Sequence, residues 1–150
     1  MFDVVTQIEI DAPPETAWSV LTDFAAVPTW NDFIRQIRGE VREGAWLEVT
    51  ARLKGAPPMN FRPKVRVVRP SQEFRWRGHL VVPTLFSGEH YFLFERNGSG
   101  GTLLTHGEHF EGLLARLLRP RLVPRVEASF DAFNRDFKAR VESAQRAGAT

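Results

Sequence analysis

The last third of the chain carries the pattern that most constrains the fold, a long amphipathic helix. From about Pro124 to Gly148, apolar residues recur at spacings of three and four, with charged residues between them. The apolar stripe consists of Val126, Phe130, Phe133, Phe137 and Val141. A stripe of this length must be buried against another element, so the rest of the chain has to supply an apolar face.

The preceding residues supply that face as consecutive strands. From Ile37 onward, apolar and charged residues alternate, clearly so over 47–53 and 74–80. The turn-rich segment Asn97–Gly101 separates two further apolar runs, 86–96 and 102–111, and is typical of a β-hairpin. Each of these strands has one apolar and one polar face, which favours an antiparallel sheet.

The first third begins with a strand-like run at residues 2–10. Pro14 followed by Glu15 is typical of a helix start, and residues 23–33, which contain Pro28, predict a second short helix. The predicted fold is α+β: a curved antiparallel sheet of about six to seven strands wraps around the long C-terminal helix, with two short helices after the first strand.

Composition narrows the classes of protein. A length of 150 residues with 43% hydrophobic and 25% charged residues predicts a single globular domain spanning 1–150. The absence of cysteine excludes disulfides and thiolate chemistry, and no apolar run is long enough to span a membrane. The N-terminal residues lack the features of a signal peptide, so we expect a cytoplasmic protein.

Charge and the absence of certain motifs argue against further classes of protein. The net charge is only +2, and the basic residues alternate along strands, so we expect no nucleic-acid partner. No phosphate-binding glycine loop, dinucleotide fingerprint or serine-nucleophile motif is present, and we expect no cofactor.

Several motifs, in this order, resemble the START-like or SRPBCC superfamily over essentially the whole chain. They are Ile8–Trp18, Asp23–Trp30, Gly101–Gly112 and Phe133–Glu142. The resemblance implies the helix-grip fold, with a deep apolar cavity between sheet and helix that opens near the short helices and the loops facing them. It implies no single activity, because the superfamily includes polyketide cyclases and lipid-transfer domains.

Two histidines and a glutamate form the candidate catalytic site. If the hairpin turns at Ser99, Phe92 faces His106 and His90 faces Glu108, all on the sheet face with Phe94 and Leu104. Glu108 would then orient His90 as a proton donor or acceptor in an apolar pocket. The alternative is a buried pair that only satisfies two polar groups.

Aromatic residues and one amide are the candidates for ligand contact. They are Trp18, Trp30, Phe33, Trp76, Phe86, Phe92, Phe110, Phe130, Phe133 and Asn134. Ordinary core packing is the alternative for each ring, and a backbone hydrogen bond is the alternative for the amide. We expect no metal site, since the histidines have no diagnostic ligand spacing.

The segment 113–125 combines leucines with four arginines. It could contact an anionic membrane surface transiently while a lipid enters or leaves, or it could be the kinked start of the last helix. The sequence leaves the oligomeric state open.

The sequence is compatible with three functions. The first is binding or transport of a hydrophobic small molecule, such as a lipid, steroid or polyketide-like compound, in a cavity between the sheet and the last helix. The second is a polyketide cyclase or dehydratase that uses His90 or His106 with Glu108. The third is a protein-interaction module of the same fold, which a sheet without a cavity would favour.

Overall fold

The computed structural model of the chain describes residues 1–80 and 82–148. Val81, Ala149 and Thr150 belong to the predicted domain 1–150 but lie outside the described residues. The assignment of 1–150 to one domain stays a prediction.

Strands and helices follow one another in the order predicted from the sequence. The strands are β1 (Phe2–Ile10), β2 (Ile34–Arg38), β3 (Glu48–Ala51), β4 (Met59–Phe61), β5 (Lys64–Arg69), β6 (Glu73–His79), β7 (Ser87–Arg96) and β8 (Thr102–Glu111), and the helices are α1 (Pro14–Thr22) and α2 (Leu113–Gly148). The long helix comes last and all paired strands are antiparallel. The predicted α+β helix-grip fold is confirmed.

The strands form two antiparallel sheets that meet at one edge. One sheet has the order β1-β8-β7-β6-β5 and the other has the order β2-β3-β4. A bridge between Trp46 and Lys64 joins them, together with a hydrogen bond of 2.8 Å from the amide of Leu47 to the carbonyl of Pro63. The strand count exceeds the six to seven expected because β4 has only three residues, too few for a visible alternation.

The second helical segment is a single 3-10 turn, Val27–Thr29, rather than a short α-helix. Asn31 ends it. Its amide nitrogen donates to the carbonyl of Val27 at 2.8 Å, and its amide oxygen accepts from the backbone N–H groups of Phe33 and Ile34 at 2.8 and 2.7 Å. These bonds turn the chain directly into β2.

Helix α2 lies in the concave face of the larger sheet. Its apolar stripe is buried as predicted: Phe130, Phe133, Phe137 and Val141 are all inaccessible to solvent or nearly so. The C-terminal half of the helix is also tied to β1, since the ammonium group of Lys138 donates to the carbonyl of Glu9 at 2.8 Å. This packing leaves the N-terminal half of the helix to cover the other end of the sheet.

The helix begins at Leu113, before the apolar periodicity that starts near Pro124, so segment 113–125 is the start of the helix, one of the two alternatives that the sequence offered. Pro120 and Pro124 lie inside the helix, and each removes one hydrogen bond to the carbonyl four residues earlier. Those carbonyls belong to Arg116 and Pro120, which are both exposed, so water can satisfy them. The cost of the prolines is therefore small enough for the helix to continue through them.

Candidate functional site

An apolar cavity of about 230 Å³ lies between the two sheets and the N-terminal half of α2. The larger sheet contributes Trp76, Phe110 and neighbouring residues, and the smaller sheet contributes Val49 and Ala51. Among the described lining residues, only His79, His90 and Glu108 carry ionisable side chains. The cavity therefore offers an apolar wall with a few polar groups, which is the usual character of a small-molecule site.

The burial of the lining residues shows where the cavity opens. Trp76, His90 and Phe110 are buried and form its inner end. Leu80 and Leu122 are half-buried, and Leu118 is 38% exposed, so the mouth lies between the start of α2 and the loop after β6.

The resemblance implies an opening near the short helices and the loops facing them, and the described residues border it with a loop but not with helix α1. Helix α1 contributes no described lining residue. Its Trp18 instead packs edge-on against Phe74 and Phe94, with ring centroids 6.1 and 5.7 Å apart, and closes that end of the sheet.

The aromatic residues predicted to contact a ligand fall into two groups. Phe33, Trp76, Phe86 and Phe110 line the cavity. The others pack behind or beside it and do not reach its described wall; they are Trp18, Trp30, Phe92, Phe130 and Phe133.

Phe92, Phe130 and Phe133 surround His106, with ring centroids 4.5, 4.0 and 5.1 Å from the imidazole. Trp30 contacts Phe133 at 5.2 Å, and its buried indole N–H has no hydrogen-bond partner among the described residues. These rings form the packed core that supports the inner end of the cavity.

The predicted register of the hairpin is confirmed. His90 pairs with Glu108, Phe92 with His106 and Phe94 with Leu104. All these side chains lie on the concave face, and the imidazoles of His90 and His106 are buried. The two histidines and the glutamate are therefore brought together as the sequence predicted, although their chemical role stays a prediction.

A continuous row of polar groups crosses the apolar core to the cavity. Nε2 of His90 lies 2.8 Å from Nε2 of His106, and Nδ1 of His106 lies 2.8 Å from Oδ1 of Asn134. The Asn134 amide nitrogen donates to the hydroxyl of Thr6 at 2.8 Å, and that hydroxyl donates to the carbonyl of His106 at 2.9 Å. At the cavity end, Nδ1 of His90 is 3.5 Å from Oε2 of Glu108. We call these five side chains the polar row.

Burial keeps the titratable members of the polar row neutral. It raises the pKa of Glu108 to about 8 and lowers the pKa of His90 to about 3. Burial also lowers the pKa of His106 well below its usual value, as does the neighbouring His90, while the hydrogen bond to Asn134 opposes the shift. At neutral pH the inner end of the cavity thus presents a carboxylic acid beside an uncharged imidazole.

Sequence reasoning missed several residues of the site. Thr6 lies on the first strand, about a hundred residues from its partner His106. Leu118 and Leu122 line the mouth, although the sequence suggested only a membrane contact or a kink for their segment. Gly88 lies beneath the carboxyl group of Glu108, where an added Cβ would overlap Oε1.

The described residues include one further groove, but no metal-ligating cluster and no membrane-spanning helix. A polar groove of about 450 Å³ lies on the far side of Phe33 and is bordered by Arg52, Lys54 and Asp136. No cluster of three metal-ligating side chains occurs among residues 1–80 and 82–148. Over the same ranges no helix is both long and apolar enough to cross a bilayer.

Solved structures with the same architecture are numerous but distant in sequence. A START superfamily protein from Mycobacterium smegmatis has 21% identity and a TM-score of 0.75, covering 94% of this chain and 97% of its own. A major latex-like protein from Panax ginseng has 13% identity and a TM-score of 0.74, covering 93% of this chain and 96% of its own.

The di-domain ARO/CYC protein StfQ of the steffimycin biosynthetic pathway has 15% identity and a TM-score of 0.75. That match covers 97% of this chain and 51% of StfQ. At these identities the likeness establishes the fold alone.

No curated protein matches the sequence closely enough to count as a relative. The sequence profile of one family does match, over residues 1–142, nearly the whole chain. That family is described as polyketide cyclase / dehydrase and lipid transport. Together with the helix-grip fold, this match shows that the chain belongs to the polyketide cyclase / dehydrase and lipid transport family of the SRPBCC superfamily.

Proposed function

We propose that the protein binds an apolar small molecule, such as a lipid, steroid or polyketide-like compound, in the cavity beneath α2. The observation that carries this proposal is the apolar wall, which is interrupted only by His79, His90 and Glu108 among its described residues. The family description is consistent with it, since lipids and polyketides are largely apolar molecules.

The size of the cavity limits what can be enclosed completely. At about 230 Å³ it exceeds the roughly 150 Å³ engineered apolar cavity that takes up benzene, so it has room for a two-ring compound. Burying about 200 Å² of such a compound gains about 5 kcal/mol before binding costs are subtracted. Taken without those costs, this gain sets a lower limit on the Kd on the order of 0.1–1 mM for a small hydrocarbon. A longer ligand would extend through the mouth past Leu118.

Titration with 2-ethylnaphthalene, followed by two-dimensional ¹H–¹⁵N NMR, tests the proposal. The indole N–H of Trp76, at the inner end of the cavity, should shift on binding. The indole of Trp46, which is 58% exposed and outside the described lining, should not shift. Unchanged spectra at saturating hydrocarbon would contradict the proposal.

A matched pair of leucines on α2 provides the mutational control. Leu122→Trp places a larger ring in the mouth and should weaken binding at least about tenfold, because the added ring takes up ligand volume. Leu117 is 74% exposed and does not line the cavity, so Leu117→Trp should leave binding unchanged. Equal effects of both changes would show that the hydrocarbon binds elsewhere.

Catalysis is a second candidate, favoured by the protonation states in the polar row. Glu108 as a neutral acid and His90 as a neutral base lie 3.5 Å apart at the cavity wall, which suits proton transfer next to a carbonyl group. His90 would take the proton from the carbon beside the carbonyl, and Glu108 would protonate the carbonyl oxygen to give an enol. This is the chemistry that a cyclase or dehydratase requires.

The two candidates differ in how they respond to loss of the acid and the base. Under the binding proposal, His90→Ala and Glu108→Ala leave the affinity for an apolar ligand nearly unchanged. Under the catalytic proposal, the wild-type protein exchanges the methyl protons of 2-acetonaphthone for deuterium in D₂O, and both variants lose that activity. An exchange rate no faster than in buffer would eliminate catalysis on this probe.

The remaining expectations have less support. The presence of a cavity removes the observation that would have favoured a protein-interaction module. Contact of segment 113–125 with a membrane stays a prediction, with Leu113 and Leu117 exposed to make it. Cytoplasmic location and the absence of a cofactor also stay predictions.

A further inference from the structure

The hydrogen bonds of the polar row can run in only one direction. The row begins at the backbone carbonyl of His106, which can accept but cannot donate, so the single hydroxyl proton of Thr6 points to it. The Thr6 oxygen must then accept from the amide nitrogen of Asn134. This fixes the Asn134 side chain with its amide oxygen towards His106.

The same logic sets the tautomers of both histidines. Because Oδ1 of Asn134 can only accept, Nδ1 of His106 carries a proton. A neutral His106 therefore has a lone pair on Nε2, and Nε2 of His90 must donate to it across 2.8 Å. A neutral His90 then has its own lone pair on Nδ1, at the end of the row that faces the cavity and Glu108.

An ionised Glu108 would be repelled by this lone pair, whereas a protonated one would not. Among the described residues neither carboxyl oxygen of Glu108 has a hydrogen-bond partner, and Nδ1 of His90 lies 3.5 Å from Oε2. The carboxyl group also packs directly over Gly88, within a wall that is otherwise apolar. The arrangement thus favours a carboxylic acid whose proton is available to a ligand.

We propose that the polar row makes the inner end of the cavity specific for ligands with an uncharged oxygen, a ketone or hydroxyl group, and unfavourable for carboxylates. The O–H of Glu108 donates to that oxygen, and Nδ1 of His90 can accept from it when it is a hydroxyl. This inference rests on the proposed binding function and adds the chemical class of the ligand's buried end.

The preference for an uncharged oxygen should depend on pH through Glu108. His90 on β7 faces Glu108 directly, His106 on β8 acts through His90, and His79 on β6 lies in the lining. Strand β1 places Val4 opposite Glu108, while α2 and the smaller sheet contribute only apolar described residues to the wall. Burial raises the pKa of Glu108 to about 8, so its proton is lost above that pH.

Affinities for three matched probes test the inference. At pH 6, 2-acetonaphthone should bind roughly 2- to 10-fold more tightly than 2-ethylnaphthalene, which lacks the carbonyl oxygen, the gain expected from one hydrogen bond. The anion 2-naphthoate should bind at least about tenfold more weakly than the hydrocarbon, because its charge would be buried without a partner. At pH 9.5 the advantage of the ketone should disappear, since a carboxylate cannot donate.

Variants at Glu108 distinguish the effect of its hydrogen-bond donor from the effect of its ionisation. Glu108→Gln keeps an N–H donor that does not titrate, so the ketone should be preferred at both pH values. Glu108→Met removes the donor, so the ketone and the hydrocarbon should bind equally at both pH values. Glu95→Gln changes an exposed carboxylate on β7 and should behave as the wild type.

Two glycines that pair across β6 and β7 provide a second control. Gly78 and Gly88 are cross-strand partners and both line the cavity. Gly88→Ala should displace the Glu108 carboxyl and abolish the ketone preference while hydrocarbon binding remains. Gly78→Ala, whose Cβ would face Pro63 and Phe61 instead, should keep the preference.

The outcomes distinguish this inference from the function on which it rests. If 2-ethylnaphthalene binds and 2-acetonaphthone binds no more tightly, or if 2-naphthoate binds as well as the hydrocarbon, the inference is overturned and the binding function stands. If no probe binds, both are overturned. Independently of binding, ¹⁵N NMR of the imidazoles should show the proton on Nδ1 of His106 and on Nε2 of His90, and the opposite tautomers would also overturn the inference.

Discussion

The fold strongly alters the acid–base chemistry of Glu108. Its side chain is 21% exposed, and that surface lies in the wall of an apolar cavity. Burial raises its pKa from 4.5 to about 8. The folded protein therefore keeps a proton that the unfolded chain loses at much lower pH, which links the stability of the protein to pH.

This linkage predicts how Glu108→Gln changes stability. Between pH 4.5 and 8 the unfolded chain binds fewer protons than the folded protein, so the wild type loses stability as the pH rises. The variant has no such group, and its stability relative to the wild type should increase by about 1.4 kcal/mol per pH unit in this window. Urea denaturation at several pH values measures the difference.

His90 contributes to the pH dependence of stability with the opposite sign, and its contribution does not obscure this result. Burial lowers its pKa to about 3, so stability rises between pH 3 and 6.5 in both proteins and cancels in the comparison. Glu95→Gln should show no such trend relative to the wild type. A difference between wild type and Glu108→Gln that does not change with pH would mean that Glu108 is ionised in the folded protein.

For individual residues, the sequence predicted part of the site. The pairing of His90 with Glu108 followed from the hairpin, because the turn at Asn97–Gly101 sets the register of every residue pair in it. The contacts of His106 with Asn134 and of Asn134 with Thr6 join segments that are distant in the chain, and no local pattern reports them. The direction of the polar row was therefore visible only in three dimensions.

Helix α2 combines two halves with different roles. From Val126 to Val141 its large apolar side chains are buried and hold the sheet. From Leu113 to Arg125 only Ala115 is fully buried, while Leu118 and Leu122 border the mouth of the cavity. The hydrogen bond from the amide of Leu114 to the carbonyl of Leu85 fastens this half to the loop across the mouth.

We expect the N-terminal half of α2 to open more readily than the rest. It has few buried contacts and two prolines that interrupt its hydrogen bonds, so its amides should exchange with solvent faster than those of 130–141. Saturation with 2-ethylnaphthalene should slow exchange at 117–123, because a ligand adds contacts to Leu118 and Leu122. Hydrogen–deuterium exchange with mass spectrometry measures both effects.

Exchange that is equally slow along the whole helix would contradict this division of α2. The apolar periodicity in the sequence starts eleven residues after the helix does, because Pro120 and Pro124 interrupt the regular amphipathic pattern. The prolines are tolerated here because they lie on a part of the helix that remains largely solvated. Their effect on dynamics is therefore expected to be larger than their effect on the fold.

For the whole molecule, the order of elements was enough to predict the architecture. A series of alternating strands followed by one long amphipathic helix allows few arrangements that bury both faces, and the helix-grip fold is one of them. The cavity itself was not predictable in shape. Its wall combines β3, β4, the end of β6 and the start of α2, and the space between them depends on how completely the helix fills the sheet.

The central claim is that an apolar ligand occupies this space with an uncharged oxygen at Glu108. Intermolecular NOEs in the complex with 2-acetonaphthone measure it most directly. We predict NOEs from the naphthalene protons to the methyl groups of Leu122 and Val126, and from the acetyl methyl group to the side chain of Glu108. NOEs only to Leu113 and Leu117, the exposed leucines outside the cavity, would contradict the claim.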